Sequence, residues 1–196
     1  MSIVLASGSV ARRRMLEDAG LVFDVIPPTC DEEAAKRELR AQGRSPHAQA
    51  EALAELKAQS VSQTSSAYVV GADQILSIDG AALDKPASRE EARLHLLRLR
   101  GCPHELITSA AVAKDGAIVW RTTDIPRLVM RRFSDAFLDD YMNRASDDVL
   151  RSVGGYQLEG LGAQLFERVE GDHFSVLGLP LLPLLAFLRR EGEALA

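Results

Sequence analysis

The sequence predicts an α/β fold built on a mixed β-sheet, and three observations predict it. Strand-like apolar runs are interspersed with capped helical stretches. Asp79-Gly80 and Asp115-Gly116 are hairpin turns that join neighbouring strands. A share of 46% hydrophobic and 26% charged residues over 196 positions is that of a globular chain. Hairpins give antiparallel pairs and strand–helix–strand units give parallel ones, so both kinds are expected in one sheet. The length suits a single domain over residues 1–196, and no Pro/Ser-rich linker divides it.

Residues 2–6 read as a short buried strand, and Ser7-Gly8-Ser9 as the turn into a helix over 10–19 closed by Gly20. A strand over 21–26 stops at Pro27-Pro28. Helices are expected over 33–42 and 46–63; Ser45 caps the second, and Pro46 suits its first turn. Residues 68–78 form a strand whose hairpin partner lies near 82–83. Ser88 and Glu91 make a capping box for a helix over 88–98. Two strands, 105–113 and 117–132, precede a helix over 134–144. A Gly-rich segment, 154–162, leads to a strand over 164–169 and an apolar terminal helix. The apolar stretch 176–188 is too short to span a bilayer and contains Pro180 and Pro183.

Net charge is −5, from 23 Lys and Arg against 28 Asp and Glu, which argues against a general nucleic-acid binder. A locally basic pocket for a small anion stays compatible with it. Cys30 and Cys102 make no disulfide framework, which suits a reducing cytoplasm. The opening MSIVLASGS lacks the basic region of a secretory signal. The expectation is a cytoplasmic protein with no nucleic-acid or membrane partner; a homodimer is compatible with it.

Ser7-Gly8-Ser9 followed by Arg12 places backbone N–H groups, two hydroxyls and a guanidinium at a helix N-terminus, which is an anion site in physical terms. The same residues also describe a capped helix with a solvated Arg face. Asp73 interrupts the apolar run of Val69-Val70-Gly71-Ala72; burying it is costly without a partner, so it is a general base, a metal ligand, or a strand-end carboxylate facing water. Lys85, within hairpin reach of Asp73, is a phosphate-binding point charge or a surface residue. Lys57 on its helix reads as a salt-bridged surface Lys. Asp31-Glu32-Glu33 either favour a helix N-terminus or offer Glu32 to a Mg²⁺ shared with a phosphate substrate. His47, His95, His104 and His173 have no metal-ligand spacing, and no nucleophile-elbow sequence is present.

Taken in order, the pieces resemble the Maf family of nucleoside triphosphate pyrophosphatases. Leu5-Ala6-Ser7-Gly8-Ser9 with Arg12-Arg13 resembles its first motif. Cys30-Asp31-Glu32, Leu56-Lys57-Ala58, Gly71-Ala72-Asp73-Gln74 and Lys85-Pro86 match its central ones. Residues 155–162, Phe166-Glu167-Arg168, Gly171, Val176 and Gly178-Leu179-Pro180 resemble its C-terminal signature. The resemblance implies an elongated mixed sheet flanked by helices, two lobes around a deep cleft, and the architecture of inosine triphosphate pyrophosphatases. It implies hydrolysis of a nucleoside triphosphate to monophosphate and pyrophosphate with a divalent cation, Mg²⁺ or Mn²⁺. It also implies house-cleaning of unwanted nucleotides and a link to arrest of cell division. Carried over, Ser7, Ser9, Arg12, Lys57 and Lys85 hold the substrate, Glu32 and Asp73 hold the metal, and Asp73 activates water.

Base selectivity falls on Ala11, Gln74 and Glu159. The dTTP/UTP branch has Arg, Thr and Gln at these places, and the 7-methyl-GTP branch has Trp, Gln and Glu. Gln74 and Glu159 side with the second branch, and Ala11 matches neither. The resemblance therefore leans towards a guanine-type or modified purine nucleotide; the alternatives are a dTTP/UTP pyrophosphatase and a nucleotide-binding regulator of septum formation that needs no turnover.

Overall fold

The computed structural model describes residues 3–195. Residue 2, the expected start of the first strand, lies outside them. The chain divides into two compact units. The first comprises Met1–Gln74, Ile107–Asp124 and Asp172–Ala196, and the second Ile75–Leu106 and Ile125–Gly171.

In the first unit, β1 (Ile3–Leu5) pairs parallel with β2 (Asp24–Val25) and with β3 (Tyr68–Ile78), while β6 (Ala117–Asp124) runs antiparallel to β5 (Pro103–Lys114). Helices α1 (Val10–Asp18), α2 (Glu32–Ala41), α3 (Pro46–Ser62), α6 (His173–Val176) and α7 (Leu181–Arg190) belong to this unit. The sheet is mixed, as expected. Ser9, Asp31 and Ser45 cap α1, α2 and α3, each side chain accepting from a backbone N–H in the first turn.

β3 is buried along nearly its whole length because helices cover both faces. Strand alternation divides it. Val70 and Ala72 pack with Leu16 of α1 and Leu184 and Phe187 of α7, while Gly71 abuts α3. The α3 side is lined by small residues: Ala54 and Ala58 pack on Ala111 and Ala113 of β5. Gly71 is required by closeness, since a Cβ there would stand 2.4 Å from the Ala54 carbonyl oxygen and 2.6 Å from the Ala58 nitrogen. Both are helix backbone atoms and cannot rotate aside. Gly71→Ala is therefore expected to destabilise the protein by about 3 kcal/mol, the upper end for overpacking. A urea midpoint within error of wild type would show that α3 yields freely.

In the second unit, the remainder of β3 turns through Asp79 and Gly80, with φ of 53° and 76°, into β4 (Ala81–Leu83). Positive φ at both residues is the twist a two-residue hairpin demands. α4 (Arg89–Leu99) and α5 (Asp135–Arg144) accompany β7 (Arg127–Met130), which runs antiparallel to β5 and to β8 (Phe166–Glu170). The Gly-rich segment forms short 3₁₀ turns. His104 is buried here, its Nε2 2.8 Å from the Tyr156 hydroxyl. Burial pushes its pKa down to about 4, so the folded protein keeps it neutral. An unfolded His takes up a proton near pH 6.5, so this group's stabilising effect is full above that pH. It declines as pH falls towards 4, by about 3 kcal/mol in all. Unfolding free energies measured from pH 7 to 4 are expected to show that slope in wild type and to lose it in His104→Gln.

Three sequence expectations need correction. The strand expected over 117–132 is interrupted at Ile125-Pro126, because Pro126 has no N–H for the ladder, and it ends at Met130. The strand expected over 21–26 shrinks to Asp24–Val25, with Val22 and Ile26 exposed. The apolar stretch 176–188 breaks around Gly178, whose φ is 103°, and only the part from Leu181 is in α7.

Candidate active site

The strand alternation that places Gly71 against α3 also turns Asp73 to that side. Lys57, one turn beyond Ala54 on α3, meets it there: Nζ lies 2.7 Å from Asp73 Oδ1. Lys57 is 6% exposed, which overturns the expectation of a surface Lys. Asp73 is likewise 6% exposed, so it is not a strand-end carboxylate facing water.

The same Lys57 ammonium lies 3.0 Å from Glu32 Oε2, at the start of α2. Glu32 Oε1 is 3.4 Å from Lys36, which also reaches Glu33 at 3.1 Å. The result is a chain of alternating charge, Asp73–Lys57–Glu32–Lys36–Glu33. Burial alone would raise the Glu32 carboxyl, but Lys57 and Lys36 outweigh it and hold it below the usual carboxylate range. Lys36 carries a signal that sequence reading passes over, the i to i+4 spacing from Glu32.

Ser7 and Ser9 form the turn between β1 and α1. Ser7 Oγ accepts from the Ser9 N–H at 3.1 Å, and Ser9 Oγ accepts from the Arg12 N–H at 3.3 Å. Arg12 Nε donates to the Gly178 carbonyl at 2.7 Å; Nη1 donates to the Ala72 carbonyl at 2.9 Å and to Ser7 Oγ at 3.3 Å. Burial pushes the Arg12 pKa down, opposed by Asp73 and Glu32. Arg12 is thus a clamp as well as a cation: it ties the first turn of α1 to β3 and to the Gly178 loop. Arg13, by contrast, pairs with Glu17 on the surface.

Gln74, one residue after Asp73, turns to the opposite side, and its Nε2 donates to Thr108 Oγ1 at 2.9 Å and to the Ser175 carbonyl at 3.0 Å. Ala11 is half-buried in the first turn of α1. The first unit therefore contains Ser7, Ser9, Ala11, Arg12, Glu32, Lys57, Asp73 and Gln74. Lys85 and Glu159 belong to the second unit, where Lys85 is exposed just after β4 and Glu159 is exposed in the loop before Leu161.

Asp73 Oδ2 is buried with no hydrogen-bond partner among the described residues. An orphaned carboxylate oxygen beside a second carboxylate is a donor set suited to Mg²⁺, which takes one or two protein carboxylates and completes its shell with water and substrate phosphates. Among the described residues, no group of three or more His, Cys, Asp or Glu forms a metal cage. The residues fit a cation shared with substrate rather than one held by protein alone.

Comparison with known proteins settles the lineage. The family model described as Maf-like protein matches residues 2–191. The chain belongs to the Maf family. Curated relatives match over nearly their full length. The nucleoside triphosphate pyrophosphatase of Paramagnetospirillum magneticum is 52% identical over 191 residues, covering 97% of this chain and 98% of that protein. The protein of the same name from Rhodospirillum rubrum is 48% identical, covering 99% of this chain and 96% of its own. That from Caulobacter vibrioides is 47% identical, covering 97% and 96%. The Maf motifs quoted from the sequence thus lie within a match that runs almost end to end, and among the described residues no helix is long and apolar enough to cross a membrane.

Proposed function

We propose that this Maf protein is a hydrolase of acid anhydrides that cleaves a nucleoside triphosphate to the monophosphate and pyrophosphate. The observation that carries the reading is the buried Lys57 ammonium shared by Asp73 and Glu32, with Asp73 Oδ2 left without a partner. Full-length relatives named for this activity support it.

The contacts of Asp73, Glu32 and Arg12 support the following division of labour. Hydrolysis at the α-phosphorus needs a water oriented and relieved of a proton, and charge on the triphosphate neutralised. Asp73 Oδ2 is the acceptor for that proton, since Oδ1 is occupied by Lys57. The Ser7–Ser9 turn offers the N-terminal N–H groups of α1 to phosphate oxygens. Arg12 has Nε and Nη1 engaged, so Nη2 is the part of its fork that addresses phosphate. Lys85 is a candidate phosphate contact on its Lys85-Pro86 motif alone. Glu32 and Asp73 hold the divalent cation, which, when bound, neutralises phosphate charge and acidifies water.

For the base, we favour a guanine-type or modified purine nucleotide, 7-methyl-GTP included, over dTTP or UTP, because the residue types at positions 74 and 159, Gln and Glu, are those of the 7-methyl-GTP branch that the sequence resembles. A carboxylate at Glu159 accepts from the N1–H and amino group of a guanine edge. The test is a panel of 7-methyl-GTP, GTP, dTTP and UTP with Mg²⁺ or Mn²⁺, with products separated. Pyrophosphate and monophosphate are expected. Orthophosphate as the only released anion would make this a different phosphohydrolase.

A further inference from the structure

The side of β3 opposite Asp73 carries a polar cluster that no catalytic role uses. Thr108 on β5 and Ser175 in α6 are 0% and 1% exposed, and both meet Gln74. Gln74 Nε2 has three acceptors within reach: Thr108 Oγ1 at 2.9 Å, the Ser175 carbonyl at 3.0 Å and the Val176 carbonyl at 3.1 Å. Two of these are backbone carbonyls, which only accept. The Thr108 hydroxyl gives its own hydrogen to the Ser175 carbonyl at 2.9 Å, so it also presents a lone pair to Gln74. The carboxamide therefore has one allowed orientation. Turning it over would set Oε1 against the Ser175 and Val176 carbonyls, and against the Thr108 oxygen as well unless that hydroxyl gave up its bond to the Ser175 carbonyl.

With the nitrogen fixed inward, Oε1 is the atom left for a ligand. It lies on the Gly178 side together with Arg12: a Cβ built on Gly178 would stand 3.9 Å from Gln74 Oε1 and 3.5 Å from Arg12 Nε. These are ordinary van der Waals distances, so glycine is favoured there by its φ of 103° rather than by lack of space.

We infer that Thr108 is a positioning residue that locks the Gln74 amide, so that position 74 offers the nucleotide an acceptor only and selects a ligand N–H or O–H donor. The inference rests on the pyrophosphatase reading and deepens it. The donor is either an N–H of the base edge or a ribose hydroxyl, and one set of analogues separates the two.

The nucleotide that wild type uses best is compared with analogues that are methylated at the ring N–H, lack the exocyclic amino group, or are 2′-deoxy or 3′-deoxy. One of these is expected to lose about tenfold or more in kcat/KM, the scale of one unsatisfied buried acceptor. A base-edge analogue or a ribose analogue will be the one affected, which names the donor. Gln74→Met, of similar length but with no acceptor, should erase that discrimination. Thr108→Val should shrink it by about threefold or more, and Thr108→Ser, which keeps the hydroxyl, should restore it. A packing role alone would lower the parent and its analogue equally and leave the ratio unchanged.

Discrimination undiminished in Thr108→Val, or a wild type that accepts every analogue within about twofold, overturns the inference. Should Thr108→Val fail to fold, the wild-type series and Gln74→Met still decide whether position 74 acts as an acceptor. If no nucleotide is turned over, the pyrophosphatase reading fails. The same ratios are then read from equilibrium binding of the analogues, where equal affinities overturn the inference as well.

Discussion

Asp73→Asn is expected to lower pyrophosphate release by a factor of ~10² to 10⁴ while leaving nucleotide binding in place. The amide keeps a carbonyl oxygen that can accept from Lys57 Nζ, which in wild type lies 2.7 Å from Oδ1. What it loses is the second oxygen, Oδ2, buried and without a partner. An amide nitrogen at that place neither accepts a proton from water nor ligates a cation. Single-turnover product release and binding of a non-hydrolysable triphosphate analogue separate the two effects. Turnover within tenfold of wild type would remove Asp73 from the chemistry. The same variant bears on cell division: an effect on septum formation that persists at full strength without turnover would favour a regulator that only binds nucleotide.

Much of this arrangement is legible in the amino-acid sequence. Asp73 stands out as an acid in an apolar strand, and the rule that a buried charge needs a partner demands one for it. The identity of that partner is not legible from spacing. Lys57 sits among Ala54 and Ala58 on a helix whose small residues, together with Gly71, let backbone approach backbone. Only that closeness turns an apparent surface Lys into a buried one. Caps and turns are legible because their signals are local: Ser9, Asp31, Ser45 and Ser88 each bond within the first turn of their helix. Thr108 escapes notice in the sequence although the logic applied to Asp73 applies to it, a polar residue inside the buried run of β5. Its significance depends on Ser175, far away in the chain, and on the direction of a hydrogen bond. The second role of Arg12 depends in the same way on two backbone carbonyls, those of Ala72 and Gly178, which no side-chain motif records.

Lys57→Met is expected to cost about 3 to 5 kcal/mol of stability, because it strands a buried carboxylate rather than because it removes a strong bond. Asp73 is 6% exposed, its Oδ2 has no partner in wild type, and without Lys57 its Oδ1 loses the ammonium too. Glu32 suffers less, being partly open to water and still beside Lys36. If the cost arises from the stranded charge, neutralising that charge should return most of it. The double variant Lys57→Met with Asp73→Asn should therefore be more stable than Lys57→Met alone, and urea unfolding of the four proteins gives the coupling directly. A loss below about 1 kcal/mol for Lys57→Met, with no recovery in the double variant, would mean that the pair contributes little to folding. The expected outcome has a further consequence. A well-packed apolar pair at 57 and 73 would stabilise α3 on β3 at least as well as the ion pair does. On the proposed function the charges serve the hydrolysis rather than the fold, and the double variant should come back in stability while staying inactive.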